Sequence, residues 1–68
     1  MNMDFIEQAR RSLRFADYHV VEMPHSSGVV LEGSRSGNHR PWFRTFGEDL
    51  EQAYRRAMVQ TESQLVEG

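Results

Sequence analysis

Two stripes of apolar residues at helical spacing bracket this chain, and whatever lies between them must supply the surface that buries both. The first runs through Phe5, Ile6, Ala9, Leu13 and Ala16, the second through Leu50, Ala53, Tyr54, Ala57, Met58, Thr61 and Leu65. Steps of three and four residues put each set on one side of a helix. The first helix is expected over roughly 4–15, with Asn2 or Asp4 as its N-cap. The second is expected over about 47–65. Thr45-Phe46-Gly47-Glu48 has the form of a capping box, and Glu48, Asp49 and Glu51 suit the positive end of a helix dipole.

Between the stripes the period changes. Tyr18–Met23 is rich in β-branched and aromatic side chains and predicts a strand over 18–23, closed by Pro24. His25-Ser26-Ser27-Gly28 predicts a hairpin turn and Val29–Gly33 a second strand, over 29–33. Ser34 to Asn38 forms another polar turn, and a third strand follows over 39–44, where Pro41 argues for an edge position. The order is α-β-β-β-α, an α+β class. Residues 1–68 form a single domain: a three-stranded antiparallel meander with both helices packed on one face and the other face left in water.

A chain of 68 residues buries only about 60% of the surface its unfolded form exposes, which leaves little room for both a core and a deep cleft. That favours a binding module over an enzyme. There is no cysteine, so disulfides, thiolate metal sites and thiol nucleophiles are excluded, and a reducing, cytoplasmic setting is expected. No run approaches the roughly 20 apolar residues of a membrane span. The opening Met1-Asn2-Met3-Asp4 lacks the basic and apolar regions of a signal peptide, so none is expected.

Period-two alternation divides the third strand. Phe43 falls on one side, and Arg40, Trp42 and Arg44 fall on the other. With Phe43 in the core, the Arg-Trp-Arg row points outward, joined at the same end of the sheet by Arg35 and His39. A tryptophan flanked by guanidiniums suits stacking on a base or pairing with a partner's carboxylates. The opposite assignment, with Trp42 in the core and Phe43 outside, has more in its favour, since large aromatics dominate burial in small domains, and partial burial against the end of the second helix is a third. Arg10, Arg11 and Arg14 form a basic ridge on the first helix, either an ordinary solvated face or a second contact for phosphate or an acidic protein.

Catalytic patterns find no context. Gly33-Ser34-Arg35-Ser36-Gly37 matches Gly-x-Ser-x-Gly, but a nucleophile elbow needs a helix after it, and a glycine-rich hairpin turn accounts for the residues. His19, His25 and His39 lack the spacing of a metal site. No catalytic residue, metal or cofactor is expected.

The favoured function is therefore a small non-enzymatic protein-binding module. Domains of this type are common among accessory proteins of phages and mobile elements that inhibit or redirect a host protein, such as a host enzyme or a nucleic-acid-binding complex. An ordinary interface of about 800 Å² per partner would occupy near a fifth of the roughly 4,400 Å² such a chain exposes. A homodimer through the open sheet face, or along the strand carrying Pro41, would also relieve the small core.

The alternative is nucleic-acid binding. The element order is similar to that of the double-stranded-RNA-binding domain, a resemblance that covers most of the chain and implies RNA contacts. That family places a basic cluster at the start of its second helix, where this chain reads Gly47-Glu48-Asp49-Leu50-Glu51. Three strands followed by a helix also resemble DNA-binding domains of plant regulators and phage integrases, in which Arg40, Trp42 and Arg44 would be the readers. Against both stands the net charge of −2. All eight basic residues are arginine, a bias most simply explained by a GC-rich genome.

Overall fold

The computed structural model describes the backbone of residues 1–35 and 41–67, and the side chains of residues 1–35 and 43–62. Its elements are α1 (Met3–Phe15), β1 (Tyr18–His25), β2 (Gly28–Arg35), β3 (Pro41–Gly47) and α2 (Leu50–Glu67). The strands form one antiparallel sheet in the order β1-β2-β3, and both helices cover the same side of it. This is the expected α-β-β-β-α arrangement.

Asn2 caps α1, its side-chain oxygen accepting the Phe5 N–H at 3.1 Å. The helix ends in a left-handed residue, Asp17 at φ 71°, whose N–H returns to the Arg14 carbonyl. An aspartate tolerates that conformation better than most side chains. β1 then runs straight through Pro24 rather than stopping at it. As an edge strand, β1 has N–H positions that face away from the sheet, and there a missing donor does no harm. Ser26 and Ser27 make the two-residue turn, and from it the register runs unbroken from His25↔Gly28 to Tyr18↔Arg35.

β3 extends through Thr45, Phe46 and Gly47, where the sequence suggests a helix cap. Thr45 is buried under α2 and its hydroxyl donates to the Ala53 carbonyl at 3.0 Å. Asp49 does the capping instead. Its side chain accepts the Gln52 N–H at 2.8 Å, and Gln52 reaches back to the Glu48 N–H at 2.7 Å. The box is the same device, displaced by four residues.

Directly paired residues share a face, so the register sorts the sheet. The helix side carries Tyr18, Val20, Leu31, Phe43 and Thr45. Leu31 is fully sealed there, with Ile6, Ala9, Leu13, Ala53, Tyr54 and Ala57 packed over the strands. Phe43 lies over Gly33, where a Cβ would stand 2.2 Å from the ring, and its centroid is 5.5 Å from that of Tyr18. Gly47 is equally tight: a Cβ there would come within 2.4 Å of the Ala53 nitrogen. Gly33 thus makes room for the Phe43 ring across the strands, and Gly47 lets β3 close on α2.

Candidate functional site

The side of the sheet away from the helices is built by alternation. The register aligns Met23, Val30 and Phe46 in one row across all three strands, and Val21, Glu32 and Arg44 in the next. Val30 is only 8% exposed yet stands outside the core cluster, placed by the register between Met23 and Phe46. Phe46 leans over Gly28 and keeps 41% of its surface in solvent, and Val21 keeps 45%. Arg44 pairs with Glu32 directly across the strands at 3.3 Å. The exposed face is thus an apolar band with an ion pair and His19 beside it.

Where the band reaches β3 it turns into a groove of about 590 Å³ between that strand and α2. Arg44, Thr45 and Phe46 form one wall, and a helical stripe including Gln52, Arg56 and Val59 forms the other. Val59 is 64% exposed. Arg56 donates to the Phe46 carbonyl, and Arg55 is held by Glu51 at 2.9 Å.

The residues expected to form one binding row are divided by the structure. Arg44 is exposed on the open face, as alternation implies. Arg35 belongs to the other side: it opposes Tyr18, and its guanidinium carbon lies 5.6 Å from the centroid of that ring. His39 and Arg40 lie outside the described residues, and so does the side chain of Trp42. The backbone at Trp42 is informative nonetheless. Gly33 pairs with Phe43 and Ser34 with Pro41, so the ladder skips Trp42 and the strict alternation of β3 breaks at that residue.

The basic ridge on α1 is also divided. Arg11 and Arg14 are exposed, whereas Arg10 turns onto the sheet. Its Nε and Nη2 donate to the two oxygens of Glu22 at 2.9 and 3.1 Å, and the Tyr54 hydroxyl donates to the same carboxylate. The Arg10 hydrogen bonds hold the Glu22 carboxyl below its ordinary range and outweigh the opposing effect of burial. Burial, helped by the Glu22 carboxylate, pushes Tyr54 up to about 12. Arg10 is raised in turn, chiefly by Glu22. Each member of the trio is therefore fixed in one protonation state near neutrality, the opposite of what general acid–base chemistry requires. The trio lines a cleft of about 290 Å³ with Arg14, Tyr18 and His19.

Among the described residues, no three His, Cys, Asp or Glu side chains gather as metal ligands, and no helix is long and apolar enough to cross a membrane. Phe46, Arg56 and Val59 were not recognisable as surface residues from sequence. Phe46 was masked by the cap-like pattern around it, and the α2 pair sits off the apolar stripe with no periodic signal of its own. No protein-family model, curated protein or solved structure matches the chain.

Proposed function

We propose that the domain is a non-enzymatic protein-binding module that meets its partner with the uncovered face of the sheet. One observation carries this: the row Met23–Val30–Phe46 crosses the whole sheet on the side that neither helix covers. Apolar surface left in water costs about 25 cal/mol per Å², and a partner that covers the row recovers it. Polar groups at the margin, His19 and the Glu32–Arg44 pair, give such an interface its rim.

An accessory role suits a module of this size, one that blocks or redirects a larger protein of a host cell in the manner of phage and mobile-element proteins. The absence of cysteine favours a reducing compartment such as the cytoplasm. Nucleic-acid binding is the weaker reading. Arg44 is paired with Glu32, and Glu48, Asp49 and Glu51 crowd the start of α2, where a phosphate backbone would need cations.

A photo-crosslinker at Val21, with a control at Ser12 on the exposed side of α1, tests the proposal in native-cell extract. The expected result is one adduct specific to position 21. Excess unlabelled protein should compete it away, and the Phe46→Arg variant should not. Identical adducts from both positions would remove the proposal. So would tight, steeply salt-dependent binding to duplex RNA or DNA. A dimer abolished by Phe46→Arg in sedimentation would replace an outside partner with a second copy of the chain.

A further inference from the structure

β1 and β3 are both edge strands, and they are finished differently. β1 carries Pro24 within its length, which interrupts the run of donors that an added strand would need. β3 carries no proline between Trp42 and Gly47, and its outer side faces the groove along α2. Among the described residues, the side chain that reaches the strand's backbone from the groove is Arg56, through a bond to the Phe46 carbonyl. A guanidinium has five N–H donors, so that bond leaves Arg56 with spare donors.

Resting on the protein-binding reading above, we infer that the partner enters as an extended acidic segment. The segment adds to the outer edge of β3 as a fourth strand, taking over the Phe46 carbonyl that Arg56 holds in its absence. Its carboxylates meet Arg44 and Arg56, and an apolar side chain settles between Phe46 and Val59. Three features of the groove point to this occupant. An edge strand supplies the ladder that an extended chain needs. Among the described residues, no carboxylate lines the groove, and the charged side chains that do are arginines. Arg44 has only an exposed ion pair with Glu32 to give up, and such pairs are weak.

Charge also argues against a second copy at this edge. Arg44 is the middle residue of β3, so two copies paired antiparallel about its centre would set Arg44 against its own symmetry mate. Like charges directly opposed across strands are destabilising.

The test uses the full chain labelled for amide NMR and a short capped peptide of glutamate and valine. Two counterparts serve as controls, one with lysine replacing glutamate and one with proline at its centre. Binding of the acidic peptide should shift the amides from Arg44 to Gly47 and slow their hydrogen exchange. Arg56→Ala should weaken it about tenfold, and Gln8→Ala, at an exposed position of α1, should leave it unchanged. The lysine and proline peptides should not bind. Equal binding of the glutamate and lysine peptides would overturn the inference, as would no binding of the acidic one. Shifts confined to His19, Val21 and Met23 would overturn strand addition while leaving the open-face interface standing. A specific Val21 adduct alongside an inert β3 edge would separate the two in the same way.

Discussion

Leu31 and Val30 are neighbours on β2 and point to opposite sides of one sheet. Leu31 is fully buried, in the core cluster to which both helices contribute. Val30 is almost as well hidden, but it lies on the side that neither helix covers, between Met23 and Phe46 in the register. The contrast separates two uses of apolar surface. The helix side holds the fold together, and the open side is apolar beyond what the fold requires.

The largest effects should fall on the helix side. Leu31→Ala is expected to cost about 2–5 kcal/mol, whereas Val21→Ala on the open side should stay within about 0.5 kcal/mol, both read from urea midpoints. Equal losses would erase the distinction between the faces. Gly33→Ala should cost about 1–3 kcal/mol, because the added methyl would displace the Phe43 ring. Combining it with Phe43→Leu should return part of that loss, and strict additivity would show that the two positions do not touch.

A smaller effect concerns pH. Glu22 has its carboxyl lowered in the folded state, so its contribution is complete above the ordinary value of 4.5 and fades as pH falls through the folded value. Glu22→Gln should cost about 1 kcal/mol at neutral pH, and the gap between the two proteins should close on acidification below about 4.5. A gap that persists at low pH would mean that packing, not charge, holds the Arg10–Glu22–Tyr54 trio. The smallest effect is a gain. Asp17→Gly should stabilise by about 0.5 kcal/mol in thermal unfolding, since glycine adopts φ 71° without a Cβ penalty.

Much of the fold was legible because its strongest signals are long. Two helical stripes and a β-rich middle leave few ways to bury everything, whereas alternation only sets Phe43 on the opposite side from Trp42 and Arg44, and it is the packing of Phe43 over Gly33 that turns it inward. The errors arise where short patterns compete. Thr45-x-x-Glu48 and Asp49-x-x-Gln52 both have capping form, and only the burial of Thr45 beneath α2 decides between them. The site was less legible because it depends on register. The Ser26–Ser27 turn sets Arg35 opposite Tyr18 and so removes it from the Arg44 side. The skipped pairing at Trp42 has no mark in composition or spacing, so the assumed Arg40-Trp42-Arg44 row could not be checked against it.

Glu22 also has a consequence for how the protein is made. It accepts from Arg10 on the first element and from Tyr54 on the last. Until α2 is in place, that carboxylate keeps its two bonds from Arg10 and lacks the one from Tyr54, and Leu31 and Phe43 lack the cover that Ala53, Tyr54 and Ala57 supply. A segment that stops short of α2 is therefore expected to be far less stable than the whole fold. Closure of the sheet and α1 into one cooperative unit is expected to wait for α2.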